Sequence, residues 1–493
     1  MRHTAWWALL AVLVTGLWVR WSDGADPPLD FHPTRQTRGL LTARLLYARW
    51  GGEVPASARE AAETLLAREP YEPPVLESLM VLGYRILGRE EPWLGRMWSS
   101  LFWAGAAVVV YLLLRPAVGP WFALLGPMYL MGWPFAARAS RAVMPDPGMT
   151  AALVAALGAL VYWQARPNAR RTVLAGFAVA LPGFLKAFGL FLVLPMVVVA
   201  LGQTYGRRAW RSPHAWVLMA AALGPSLAFY WGVRHAVASS YLRHWTVDLL
   251  GLWGHKGFYV GWARMVTKVV GGPWLLLALA AWPLAPRAWR WLSAAYLAGY
   301  VVLGFFVPYQ ISTHNYYSLP LLPWVGLHLP LAARAMARAL PATRSAHLYL
   351  AALAVLAYLY GLGEAYDHFK DDDHRTEAAR WEAIGQALPE GRLIGRVQDY
   401  GFPLAYYGGR WVAPWPTEGD LQLAEMRGKP REDIETMLAT RAQGFDYFVV
   451  TDFRGWDSSP LRAWLDAHCP LVVQREDVWV YDLRACLPAT PSP

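Results

Sequence analysis

Between residues 92 and 363 the chain carries only two acidic side chains, Asp146 and Asp248. Such scarcity over so long a stretch fits hydrocarbon surroundings, where a carboxylate at the bilayer centre costs about 2.5 kcal/mol or more. Each of these two acids therefore needs a reason to be there. The composition agrees: 56% of the 493 residues are hydrophobic and 16% are charged, against about 25% charged in a soluble chain. Mean hydropathy is +0.24, and the 28 Trp residues suit a chain with many membrane-water boundaries, where Trp is enriched. These figures exclude a disordered chain and argue against an ordinary soluble enzyme.

Eleven apolar runs approach the roughly 17 to 25 residues that cross about 30 Å of hydrocarbon. They cover residues 4–19, 98–114, 121–137, 148–164, 172–182, 187–202, 215–233, 273–284, 291–307, 318–333 and 346–363. The first follows Arg2 and His3 and is not followed by a clear A-x-A cleavage site, so it reads as an uncleaved anchor rather than a signal peptide. The expected fold is a polytopic α-helical membrane protein with about eleven transmembrane helices. Threaded from a cytoplasmic amino terminus, the runs put Arg115, Arg166, Arg170, Arg171, Arg207, Arg208, Arg211, Arg287, Arg290, Arg334, Arg338 and Arg344 inside, with no acid among them. That is the pattern of the positive-inside rule. The same threading puts the long loop 21–97, the Asp146 loop, the loop 234–272, the His314 loop and the carboxy-terminal tail outside. Basic residues in short clusters between apolar runs, rather than in one stripe, also argue against a nucleic-acid partner.

Charge divides the chain near Gly363. Residues 1–363 hold 13 acids and 31 bases, a net of +18, whereas residues 364–493 hold 22 acids and 14 bases, a net of −8. We therefore expect a transmembrane domain over 1–363 and a small extracytoplasmic α/β domain over 364–493. In the latter, helical patterns at 375–387 and 430–442 alternate with strand-like 392–397 and 447–451. It has no Gly-rich phosphate fingerprint, so no catalytic role is expected of it. The two cysteines, Cys469 and Cys486, flank strand-like runs at 471–474 and 478–483 joined by three residues. Positions equidistant from a hairpin turn face each other, which makes a disulfide geometrically feasible; two unpaired thiols are the alternative.

Polar residues fall at the span ends that the threading places outside. The first loop opens with Asp23 and Asp26 and continues Asp30-Phe31-His32-Pro33-Thr34-Arg35-Gln36, about ten residues past the first span, through amphipathic stretches 37–50 and 56–67 suited to a membrane surface. It closes with Tyr71-Glu72-Pro73-Pro74 and a helical run 75–87. Next comes Arg138-Ala139-Ser140-Arg141-Ala142-Val143-Met144-Pro145-Asp146-Pro147, whose prolines discourage continuous helix and leave Asp146 at a span entrance. Lys186 lies in a turn between two apolar runs, and His314-Asn315-Tyr316-Tyr317 opens the tenth span. Four polar clusters, far apart in sequence, are thus delivered to one membrane face.

With a long acid-bearing first outer loop, the element YEPP, the element RAVMPD and an outer Lys, the chain resembles the GT-C class of membrane glycosyltransferases. Within it the nearest relatives are the family 39 group, which includes protein O-mannosyltransferases and lipid A aminoarabinose transferases. The resemblance spans roughly residues 1–363 in the order of elements and is carried by about 30 residues of motif. It implies transfer of a sugar from a polyprenyl-phosphate donor, with inversion, to an acceptor hydroxyl outside the plasma (inner) membrane. By the same resemblance Asp30 matches the first-loop acid that activates the acceptor, Asp146 the second-loop acid that positions acceptor or carrier, and Glu72 the acid beside the paired prolines. Phe31 stands where the family often has a second acid, so Asp26 is the next candidate for the base.

The chemistry asks for these residue types independently. A sugar phosphate already has a good leaving group, so one carboxylate within about 3 Å of the attacking hydroxyl is what helps. Cations must stabilise the phosphate as charge develops on it, and Arg141, Lys186, Lys256 and His314 are the candidates. His32, Arg35, Tyr71, Tyr316 and Tyr317 complete the candidate acceptor or donor surroundings. Simpler roles compete: helix capping for Asp30 and Asp146, snorkelling for Lys186, an aromatic belt for His314 with its tyrosines, and a solvated face for Asp248. No His, Cys or carboxylate pair has metal-ligand spacing, so no cofactor is expected; Asp30 and Asp146 sharing a divalent ion in space is the one alternative. A membrane transporter or flippase of lipid-linked sugars is the competing function, and it would need polar groups reachable from both sides.

Overall fold

The structure, a computed structural model, describes residues 2–67, 72–233, 242–339 and 344–487. The chain divides into two compact units. One comprises Met1–Ala25, Pro70–Met80 and Trp93–Asp372; the other comprises Asp26–Glu69, Val81–Pro92 and Asp373–Pro493. Most of the loop 21–97 thus clusters with the carboxy-terminal residues, because its helices bury their apolar faces there.

The first unit is a helical bundle of a multi-pass membrane protein. Among the described residues six helices are long and apolar enough to cross a bilayer: His3–Trp21, Trp93–Val118, Pro145–Ala165, Gly189–Arg211, Pro213–Gly232 and Leu348–Asp371. The pair Lys256–Val270 and Gly272–Leu284, bent by 86°, makes a seventh if taken as one broken span. The other apolar runs also fold as helix, as Ala169–Leu185, Arg287–Phe306 and Leu321–Ala339. Run 121–137 breaks instead into Leu125–Gly132 and Pro134–Ser140, because Trp133 must be extended (ψ 124°) ahead of a proline. Among the described residues six or seven spans thus meet the test of length and apolarity, and the expected count of eleven is not confirmed. Glycines let backbones approach: a Cβ at Gly299 would run into the Phe191 carbonyl of a neighbouring helix, and one at Gly126 would lie 2.8 Å from the Gly326 carbonyl.

The second unit is built on a five-stranded sheet of order β2-β1-β3-β5-β4, with β1 Leu393–Arg396, β2 Ala413–Pro414, β3 Tyr447–Val450, β4 Leu471–Gln474 and β5 Trp479–Asp482. β1 pairs parallel with β2 and β3, while β5 pairs antiparallel with β3 and β4. Central β3, YFVV, is buried along its whole length, as a strand covered on both faces must be. Phe448 and Val450 join Trp415, Leu438 and Leu465 in one core; Tyr447 and Val449 join Trp381, Ile384 and Leu404 in the other. A disulfide links Cys469 and Cys486, Cα atoms 5.1 Å apart, across the β4–β5 hairpin. The turn after β1 holds three successive left-handed residues, Asp399, Tyr400 and Gly401 (φ 50°, 56° and 76°).

Loop helices Pro33–Arg49 and Ala56–Leu66 belong to this unit. Arg44 anchors the first of them. Its guanidinium donates to both Glu90 oxygens (2.9 to 3.1 Å) and to the Tyr406 carbonyl (2.6 Å), and the Tyr406 hydroxyl donates to Glu90 Oε2 at 3.0 Å. Burial pushes the phenols of Tyr84 and Tyr406 well above their ordinary range.

Candidate functional site

The centre of the first unit's polar site is a buried ion pair. Helix Pro145–Ala165 begins at a proline, and Met144 before it is extended, so Asp146 sits in the first turn, where the positive helix end favours a carboxylate. Lys186 lies beyond the end of helix Ala169–Leu185 in extended backbone (φ −156°, ψ 126°). Helix resumes at Gly189, where a Cβ would collide with the Pro182 carbonyl. The break turns the Lys186 side chain inward, and Nζ meets Asp146 Oδ1 at 2.7 Å with both residues 2 to 3% exposed. Asp146 Oδ2, also buried, has no hydrogen-bond partner among the described residues.

A third segment closes this pair. The 3-10 turn Asn315–Ser318 carries Tyr316 and Tyr317, whose rings lie 5.1 and 4.9 Å from Lys186 Nζ. The Phe188 ring packs against that of Tyr317, tilted by 50°, at 5.5 Å. His314 packs edge-on against both tyrosines, and its Nδ1 lies 2.7 Å from Thr313 Oγ1. Asp146, Lys186, His314, Tyr316 and Tyr317 therefore form one cluster assembled from three distant segments.

Arg141 enters a second buried group. Its guanidinium lies 3.9 Å from Asp23 Oδ2 and 3.6 Å above the Phe369 ring. Arg96 donates to the Asp23 carbonyl at 3.0 Å. Arg20, fully buried, donates to Ser140 Oγ (2.8 Å) and to the carbonyls of Gly16 and Met131 (2.9 and 2.8 Å). Three guanidiniums thus gather where the first span ends, and one of them, Arg141, lies on the RAVMPD segment that carries Asp146. The sequence singles out Arg141 as a phosphate ligand and Asp23 only as an acid of the first loop, and it assigns no role to Arg20 or Arg96.

The remaining candidates lie elsewhere. Asp26, Asp30, His32 and Arg35 belong to the second unit. Asp30 is half-buried, and its Oδ1 accepts from Gln36 Nε2 at 3.2 Å. It is not a helix cap: the residue capping Pro33–Arg49 is His32, left-handed at φ 51° and without a side-chain cap hydrogen bond. Buried Asp26 accepts the His374 backbone N–H at 2.8 Å, so this oxygen is spent on holding the loop. Glu72 is half-buried just ahead of helix Val75–Leu87 in the first unit; Tyr71 lies outside the described residues. Lys256 is exposed at the start of its helix, and Asp248 faces His244 at 4.0 Å. Among the described residues no three His, Cys, Asp or Glu side chains gather to hold a metal ion.

The chain has similar counterparts among known proteins. Residues 71–231 match the family model of dolichyl-phosphate-mannose-protein mannosyltransferases, so the match includes Glu72, Arg141, Asp146 and Lys186. The whole chain superposes on ArnT from Cupriavidus metallidurans in the apo state, with TM-score 0.60, 18% identity and 100% of both chains covered. The structure of that ArnT bound to undecaprenyl phosphate gives TM-score 0.59 at 17% identity over 99% of both chains. The arabinofuranosyltransferase AftD from mycobacteria is similar at TM-score 0.51 and 15% identity, over 96% of this chain and 41% of that one. No curated protein matches the chain in sequence. The protein has the GT-C fold of membrane glycosyltransferases. The likeness to ArnT is one of fold over the full length, and the likeness to the mannosyltransferase family is one of sequence over residues 71–231.

Proposed function

We propose that this glycosyltransferase moves a sugar from a polyprenyl-phosphate carrier to an acceptor hydroxyl, on a glycan, lipid or protein, at the outer face of the plasma (inner) membrane. The observation that carries the reading is the buried Asp146–Lys186 pair under Tyr316 and Tyr317, in a fold whose ArnT example was solved with undecaprenyl phosphate bound. An intramembrane ionisable pair is functional by default, because burying it against lipid gains nothing by itself.

In the proposed reaction the acceptor oxygen attacks the anomeric carbon opposite the phosphate, inverting it. The bond from that carbon to the phosphate oxygen breaks, and its electron pair stays on the carrier phosphate. Lys186, with Arg141 and His314, neutralises the charge that develops there. Asp146 orients Lys186 through their 2.7 Å contact. Asp30 takes the acceptor proton, and Glu72 helps hold the acceptor. Holding both substrates in line at an interface replaces a bimolecular encounter with a unimolecular one.

The test is transfer in membranes supplied with labelled polyprenyl-phosphate sugars. Asp30→Asn should abolish transfer while the protein is still made and inserted; a fully active variant sinks the base assignment. Reporters fused after Gly363 and after Arg171 should report from outside and inside, respectively, and a cytoplasmic signal after Gly363 would put the proposed site in the wrong compartment.

A further inference from the structure

We propose that helix Lys256–Val270 lies along the bilayer surface and binds anionic phospholipid headgroups through Lys256, Arg264 and Lys268. The helix meets its successor at 86°, so when the following helix runs along the membrane normal this one runs along the plane. Gly271 makes the corner at φ 76°, a conformation that favours glycine. The corner is fixed: Trp133 Nε1 donates to the Val269 carbonyl (2.7 Å) and the Tyr129 hydroxyl to the Val270 carbonyl (2.8 Å), satisfying carbonyls that a helix end leaves open.

The two faces of this helix have opposite chemistry. One is pinned to the bundle: Phe258, Val269 and Val270 are buried, and Trp262 Nε1 donates to the Tyr300 hydroxyl at 2.8 Å. On the other, Lys256, Val260, Arg264 and Lys268 repeat every fourth residue and are exposed, beside exposed Tyr259, so they share one stripe. The stripe holds three cations and the helix holds no acid. Among the described residues no hydrogen bond or ion pair engages the three.

Placing this helix in hydrocarbon would put all three cations there, against a large opposing cost for each. In the interface their charges meet phosphates while Tyr259 and Val260 reach the acyl boundary. Charge complementarity therefore selects an anionic lipid surface as the occupant. Each basic residue close to such a surface is worth a factor of about five, so three give roughly a hundredfold.

Amide hydrogen exchange of the full chain in phosphatidylcholine nanodiscs, with and without phosphatidylglycerol, tests this. Exchange across residues 256–268 should slow at least about tenfold with phosphatidylglycerol, and the effect should fade in about 0.5 M salt. The variant K256Q/R264Q/K268Q should exchange equally in both lipids, with residues 287–306 still protected as evidence of an intact bundle. Equal exchange of the wild type in both lipids overturns the proposal. So does slowing that needs a trace of undecaprenyl phosphate and ignores phosphatidylglycerol, which would assign these cations to the donor.

Discussion

Replacing Lys186 by Met tests the buried pair at the centre of the candidate site. At the observed 2.7 Å the gross attraction is about 6 kcal/mol for an effective dielectric near 20, most of it offset by the cost of desolvating both ions. The single variant is a different matter, because it leaves Asp146 charged, buried and alone; such breakage costs about 3 to 5 kcal/mol. We expect Lys186→Met to lower stability by that amount in denaturant titration of the detergent-solubilised protein. Transfer from a labelled donor should fall by about 10² to 10³, the loss typical of one group that stabilises charge in the transition state. The double variant Asp146→Asn/Lys186→Met removes both charges and should recover most of the stability without recovering transfer. If the double variant regains both, the pair is only structural. If Lys186→Met alone stays active, the phosphate role is wrong.

Three further outcomes are expected. Arg44→Ala breaks the buried bond to Glu90 and should cost about 3 to 5 kcal/mol, read as faster hydrogen exchange across residues 33–49; a change below about 1 kcal/mol would mean that this anchor is superfluous. Replacing Cys469 and Cys486 by Ser opens a cross-link of sequence separation 17 and should cost about 3 kcal/mol by chain entropy, seen as faster exchange in the β4–β5 hairpin. Burial holds the Asp399 carboxyl above its ordinary value, so the stability it contributes is complete below the unfolded value and lost as pH rises through the folded one. Asp399→Asn, whose side chain tolerates the left-handed backbone, should therefore gain stability relative to wild type between pH 4 and pH 7 in thermal unfolding; a gain that is the same at both pH values would show that the carboxyl is not perturbed.

Much of this architecture is legible in the residues because periodicity and charge report burial directly. The apolar runs fold as helix, and the strand-like runs around 393, 447, 471 and 479 fold as strands. β2, two residues long, carries no pattern to read. Nor does sequence show that helices Pro33–Arg49 and Ala56–Leu66 cluster with a domain more than 300 residues on, since their amphipathic faces suit a membrane surface as well as a protein core. In the candidate site, Asp146, Lys186 and the tyrosines stand out because polar residues are rare there, and the structure brings them into one cluster. Arg20 and Arg96 do not stand out, because arginines at span ends are ordinary in membrane chains. Their burial beside Arg141 depends on where the broken segment Leu125–Ser140 folds back, which no local signal encodes.

Sugar transfer from a lipid-phosphate carrier can be followed in a sealed system. Purified protein in sealed vesicles is given undecaprenyl-phosphate sugars, labelled in both carrier and sugar, together with envelope acceptors on the outer side. The sugar label should move to the acceptor while free undecaprenyl phosphate appears in equal amount, and both should vanish in Asp146→Asn/Lys186→Met. Movement of the intact labelled lipid across the bilayer, with no carrier released, would contradict such transfer and make the protein a flippase.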